Sequence, residues 1–393
     1  MKLSYRSTML ACYNGYITQA ISINLAPLLY LTFQKEFDLS VGEISALIAF
    51  NFFTQLSIDA IATRFAHRMN LRFFTVAAHL LVVIGLCGLS LFPSLMPPYI
   101  GLLLAVGLLG LGGGFTEVLI SPLLEACPVE GKSGNMSLLH SFYCWGQAAI
   151  VLFSGLYFYF FDIEISWRYL PFLWAILPCA GAVAFMLVPI YRLKGDCAEG
   201  NVGIGSLLRN PLFFLFLLMM LCAGAGEMTM SQWSSAFAES ALHVPKAVGD
   251  LLGPCMFALM MGSARAVYGK FSHRMNLHRL MLLGCVGCAL SYLLAAWAPS
   301  PALSLLGCAL CGVSVGIFWP GILSRAASAF PMGGISMFAM LALAGDLGCL
   351  AGPSIAGGIA DLLGGDLKWA FVFAALFPIL CFGALLLHNR KRN

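Results

Sequence analysis

Phe65-Ala66-His67-Arg68-Met69-Asn70-Leu71 occurs a second time, with one change, as Phe271-Ser272-His273-Arg274-Met275-Asn276-Leu277. The copies lie 206 residues apart (271 − 65), a little over half of the 393-residue chain. Each sits between two long apolar runs, where a short basic loop would lie. Two matches in equivalent settings mark a duplicated membrane half.

Composition agrees. Hydrophobic residues make up 60% of the chain and Asp, Glu, Lys and Arg only 10%, against roughly 45–50% and about 25% in soluble domains. Mean hydropathy is +0.90. A soluble protein could not hide that much apolar surface, so the chain reads as an integral membrane protein whose lasting partner is the bilayer. The net charge of +4 follows from loops that face anionic lipid and gives no sign of nucleic acid. The fourteen cysteines fall mostly inside apolar runs. Cys285-x2-Cys288 and Cys308-x2-Cys311 have metal-like spacing, but no loop motif partners them. Buried cysteine behaves as a small hydrophobe, and neither metal, disulfide nor cofactor is expected. The first apolar run is too long for a removable signal peptide and has no clear small-residue cleavage site.

Twelve runs approach or exceed the roughly 20 residues needed to span a bilayer. They cover about 8–33, 44–63, 73–94, 98–124, 135–161, 168–190, 209–237, 247–268, 277–298, 301–326, 334–362 and 368–388. The expected fold is all-α: two pseudo-symmetric six-helix bundles, 1–190 and 209–393, joined by a cytoplasmic linker over 191–208. Counting Lys and Arg by loop places 17 on the side of the N-terminus and 4 opposite, the full 21. By the positive-inside rule both termini are then cytoplasmic.

Four carboxylates fall well inside the spans: Asp59, Glu117, Glu227 and Asp346. A charge near the bilayer centre costs about 2.5–3.5 kcal/mol on insertion scales, so such residues face the bundle interior, a partner or water. Asp59 and Arg265 occupy the same repeat position (59 + 206), an acid in one half and a base in the other. Structural charge pairing near the cytoplasmic gate is the simpler reading of both, and they need not pair with each other. Glu117 follows Gly112-Gly113-Gly114 and precedes Pro122. Glycines admit a close neighbour and proline can kink the helix, which suits a proton or substrate site. Glu227 repeats the design after Ala223-Gly224-Ala225-Gly226, with Gln232 and Trp233 further on. For Asp346, in Ala344-Gly345-Asp346-Leu347-Gly348, gating and packing are equally open.

Polar and aromatic side chains inside other spans complete the candidate solute site: Asn14, Tyr16, Gln19 and Asn24 in helix 1, His140 and Tyr143 in helix 5, and Trp319 in helix 10. Mid-helix amides need partners, either another helix or a polar ligand. A lone histidine such as His140 is more often a satisfied bundle residue than a proton relay. There is no Walker motif, zinc-protease helix or nucleophile elbow, so no enzyme is expected.

Two six-helix halves with a duplicated basic loop between helices 2–3 and 8–9 resemble the major facilitator superfamily. Its loop pattern is Gly, three residues, Asp-Arg, one residue, Gly, then basic residues. The second copy reads Gly269-x3-His273-Arg274-x-Asn276-x-His278-Arg279 and the first Thr63-x3-His67-Arg68-x-Asn70-x-Arg72. Arginine matches in both, histidine replaces the aspartate, and asparagine replaces the later glycine. The resemblance implies gate loops at His67, Arg68, His273 and Arg274, with a charge lock altered by the histidines.

Within the superfamily the chain is similar to the fucose permease group of sugar–proton symporters. That group has a helix 4 acid followed five positions later by proline, which Glu117 and Pro122 fit. Leu138-Leu139-His140-Ser141-Phe142 is similar to its helix 5 start. The group's helix 1 aspartate is missing, with Ala26-Pro27 in its place. The resemblance implies proton-coupled uptake of a small polar solute such as a sugar, by alternating access, in a monomer of the inner membrane. Glu117 and Glu227 would be the proton-coupling acids. Proton-antiport efflux of amphipathic compounds is the alternative, and a non-transporting receptor with this fold is a third reading.

Overall fold

The computed structural model describes residues 4–65, 69–193, 204–240, 249 and 251–392, and among them there is no strand. The first series of helices is α1 (Tyr5–Glu36), α2 (Val41–Phe65), α3 (Leu71–Leu95), α4 (Pro98–Ala126), α5 (Lys132–Phe160) and α6 (Leu170–Leu187). A short helix, Ile163–Ser166, and a 3-10 turn, Trp167–Tyr169, lead into α6. The second series is α7 (Pro211–Ser240), α8 (Met256–Phe271), α9 (Leu277–Trp297), α10 in two segments (Pro301–Val315 and Phe318–Ala329), α11 (Gly334–Leu362) and α12 in two segments (Lys368–Ala374 and Leu376–Arg392).

Eleven of these stretches are long and apolar enough to cross a membrane. The remaining one is α8, 16 residues long, which continues a π-helical turn at Leu251–Cys255. The expected span there began at 247, and residues 241–248 and 250 lie outside the described set. A short helix, Ile204–Arg209, covers the end of the expected linker and the first residue of the expected second bundle.

Two compact units divide the chain. Unit 1 comprises residues 1–129, 145–201 and 334–339; unit 2 comprises 130–144, 202–333 and 340–393. In unit 1, α4 packs against α1, α2 and α3, and α3 packs against α6. In unit 2, α10 packs against α7, α8 and α9, and α9 packs against α12. Each pairing in one unit recurs six helices on in the other, as the duplicated loop leads one to expect.

The crowded centre of unit 1 follows from glycine. A Cβ added at Gly110 would lie 2.8 Å from Asn51 O of α2, at Gly112 2.7 Å from Ala78 O of α3, and at Gly113 2.6 Å from Ser22 Oγ of α1. One helix can therefore touch three neighbours at backbone distance within two turns. In unit 2, α7 and α11 come together closely, where a Cβ at Gly224 would meet Gly345 O and one at Gly348 would meet Leu221 O.

The asparagines of the repeated loop have a local task. Asn70 Oδ1 accepts from Phe73 N (3.2 Å) and Asn276 Oδ1 from Arg279 N (3.0 Å), so each caps the helix that follows. Arg72, just inside α3, donates to the carbonyls of Phe185 (2.8 Å), Met186 (2.5 Å) and Val188 (2.9 Å) at the end of α6. A cation there satisfies carbonyls that the helix itself cannot and complements its dipole.

Candidate functional site

In unit 1 the site is built around Glu117, half-buried on α4 one turn beyond the glycine run. Its Oε2 accepts from Gln19 Nε2 of α1 and from Gln55 Nε2 of α2, both at 2.7 Å. Both glutamines are buried. Hydrogen bonds to an ionised acceptor are roughly twice as strong as neutral ones, so the two amides fix the carboxylate's position firmly. One turn further along, Tyr16 OH and Ser121 Oγ lie 2.6 Å apart and tie α1 to α4 again. Three helices thus meet on one acid through neutral polar side chains.

Gln55 was not among the expected residues. Its signal was available: a polar side chain mid-helix, four residues before Asp59 and so on the same face of α2. Asp59 itself is fully buried. Asn24 spends its amide on its own helix, Nδ2 donating to Ala20 O at 2.9 Å. Asn14 faces another way. Its Oδ1 packs on Gly181 of α6 beside His79 of α3, and the structure does not bring it to Glu117. Asn14 and Gln19 are five residues apart, which at about 3.6 residues per turn points them to different sides of α1.

In unit 2 the corresponding feature is an ion pair. Arg265 Nη2 of α8 donates to Glu227 Oε2 of α7 at 3.0 Å, with the arginine side chain 3% and the glutamate 18% exposed. Nε donates to Gly316 O at 2.8 Å, and Nη1 to His140 O at 3.3 Å and Cys144 Sγ at 3.0 Å. Arg265 was expected at a gate and Glu227 at a solute site, and the structure makes them one constellation. His140 enters it through its backbone carbonyl, and Tyr143 is half-buried beside Cys144 on α5.

Apart from His67 and Arg68, the remaining expected residues are spread over unit 2. Gln232 is exposed on α7. Trp233 Nε1 donates to Pro353 O at 3.0 Å and its ring lies on Gly357, so it is fastened to α11. The Trp319 ring covers Gly345, next to the half-buried Asp346. His273 and Arg274 stand exposed on the 3-10 turn Ser272–Arg274. His67 and Arg68 lie outside the described residues. Of the two Cys-x2-Cys spacings, Cys288 and Cys311 meet in the interior, their sulfurs 3.8 Å apart.

Two units with matching helix pairings, each holding a carboxylate among its helices by polar contacts, have the build of a membrane transporter. The chain belongs to the Major Facilitator Superfamily, whose family model matches residues 9–337. Among curated proteins it is similar to the membrane protein MosC of Rhizobium meliloti, 24% identical over 360 residues, 92% of this chain and 85% of that one. Among solved structures it is similar to the transporter FucP in the outward conformation (TM-score 0.83, 14% identity, 98% of this chain and 99% of the other). It is also similar to the proton:xylose symporter XylE (TM-score 0.81, 13% identity, 96% and 94%). At such identities the structural likeness is one of fold.

Proposed function

We propose that this transporter takes up a small polar solute of the sugar class together with a proton, by alternating access. The observation that carries the reading is Glu117, a half-buried carboxylate inside a membrane helix, held by the amides of Gln19 and Gln55. An acid kept at such cost and oriented by neutral donors suits reversible proton binding. Tyr16, Gln19 and the side-chain oxygen of Asn24 on α1 supply polar groups for solute hydroxyls. The likeness in fold to FucP, a fucose:proton symporter, and to XylE, a proton:xylose symporter, supports a sugar–proton reading. In this reading the protein works as a monomer in the inner membrane, with both termini on the cytoplasmic side, as the Lys and Arg distribution favours.

The test is counterflow against net uptake in proteoliposomes carrying Glu117→Gln. Exchange of labelled for unlabelled sugar should persist while uphill, proton-driven accumulation is lost. Accumulation that persists in this variant removes Glu117 as the coupling group.

A further inference from the structure

α5 is one continuous helix, yet residues 130–144 belong to unit 2 and residues 145–160 to unit 1. Its first half is fastened to α8 by a single seam. Ser133 Oγ and Tyr268 OH are 3.2 Å apart, and Ser137 Oγ donates to Arg265 O at 2.8 Å. Between them the backbones nearly touch, for a Cβ at Gly269 would lie 3.1 Å from Gly134 O. The Arg265 guanidinium closes the seam with its bonds to His140 O and Cys144 Sγ. The same guanidinium ends on the Glu227 carboxylate.

We infer that Arg265 is a positioning residue that makes the attachment of α5 to α8 depend on the charge of Glu227. A guanidinium is a rigid planar fork, so holding one arm sets the direction of the others. The carboxylate is a charged acceptor, and the carbonyls and the thiol are weaker ones. While Glu227 is ionised, the fork is held where Nη1 reaches His140 O and Cys144. A proton on Glu227 removes the charge assistance and leaves the cation facing a neutral acid. Arg265 cannot discard its own proton, so the guanidinium must turn to other acceptors or water, and the two bonds to α5 are given up with it.

Cys144 of α5 and Cys311 of α10 lie near enough to Glu227, and His140 and Cys144 of α5 to Arg265, to interact with them electrostatically. The inference goes beyond the proposed function and rests on Glu227 and Arg265, whatever the solute and whether or not Glu117 carries the proton.

The native thiol of Cys144 reports the seam. Full-length protein in nanodiscs is treated with N-ethylmaleimide, and modified cysteines are located by peptide mass spectrometry. Glu227→Gln should label Cys144 about ten-fold faster than the parent, because one charge-assisted bond becomes a neutral one. Glu227→Asp, which keeps the charge, should stay at the parental rate. Cys12 of unit 1 and Cys308 of unit 2, both fully buried, should not change. In Arg265→Gln, Cys144 should be fast already, and adding Glu227→Gln should add nothing.

Parental protection of Cys144 in Glu227→Gln overturns the inference, and so does an acceleration shared equally by all three thiols. A measurement free of substitutions guards against misfolded variants. Acidification of the unmutated protein should raise deuterium uptake over residues 132–144 relative to 301–315, after correction for the intrinsic exchange rate. A flat response overturns the inference on its own.

Discussion

Asn70 and Asn276 stand at the same place in the two copies of the repeated loop and do the same work. Each accepts a hydrogen bond from the backbone N–H three residues on, at 3.2 and 3.0 Å, and starts the next helix. An N-cap asparagine replaced by alanine costs typically about 1 kcal/mol. Asn70→Ala and Asn276→Ala should each lower the thermal midpoint of the detergent-solubilised protein. Asn→Asp or Asn→Ser at the same positions should retain most of it. Equal midpoints for the alanine and aspartate variants would show that the caps contribute nothing measurable.

Gln19 and Gln55 converge on a single oxygen of Glu117. A hydrogen bond to a charged group is worth about 1.5–3 kcal/mol net, so each amide matters to the geometry of that acid. Gln19→Leu and Gln55→Leu should each reduce proton-driven accumulation by roughly ten-fold or more, on the 1.4 kcal/mol-per-decade scale. Protein yield should stay near parental, because leucine fits a membrane interior. A Gln55→Leu protein that accumulates solute normally would leave Gln55 a packing residue.

The Glu227–Arg265 pair makes an asymmetric prediction. Breaking a buried pair by removing one partner costs about 3–5 kcal/mol, whereas replacing both with apolar residues is often neutral. A stranded carboxylate can pick up a proton, but a stranded guanidinium stays charged. Glu227→Leu should therefore lower thermal stability more than Arg265→Met, and the double variant should regain much of the loss. Additive losses in the double variant would mean that the two side chains are not energetically coupled.

Much of this was legible in the chain, for reasons that can be traced. Span length and the duplicated loop fix the helix order, because a bilayer admits few alternatives to a full apolar helix. Gly112-Gly113-Gly114 before Glu117 announced close packing around an acid, and α4 does meet α1, α2 and α3 there. What periodicity does not supply is the partner. The shared repeat position singled out Asp59 and Arg265, but which acid Arg265 meets depends on helix packing within unit 2, and that acid is Glu227. Gln55 carries a sequence signal, a mid-helix amide on the Asp59 face, but the acid it serves is set by the packing of α2 on α4. Asn14 and Gln19 share a helix, but their five-residue spacing separates their faces.

Gly224 and Gly348 separate packing from tolerance on α7 and α11. An added Cβ at either would run into a backbone carbonyl, Gly345 O or Leu221 O, which cannot move aside as a side chain could. Gly224→Ala and Gly348→Ala should each reduce the amount of folded protein recovered from membranes several-fold, overpacking costing typically about 1–3 kcal/mol. Gly358→Ala and Gly383→Ala, where an added Cβ meets nothing within 4 Å, should be recovered like the parent. Equal recovery in both groups would refute the backbone contact between α7 and α11.

His273 stands exposed on the turn between α8 and α9, where the superfamily's loop pattern has an aspartate. An aspartate carries a negative charge at neutral pH, which a histidine never does. A loop that latches by charge would then latch differently with histidine in that place. His273→Asp should alter the maximal transport rate. The solute's apparent affinity should change less than about two-fold, a shift of well under 1 kcal/mol, because the exposed turn lies outside the constellation around Glu227 and Arg265. A large loss of affinity would place His273 in the solute path. An unchanged rate would show that the turn does not gate transport through its charge.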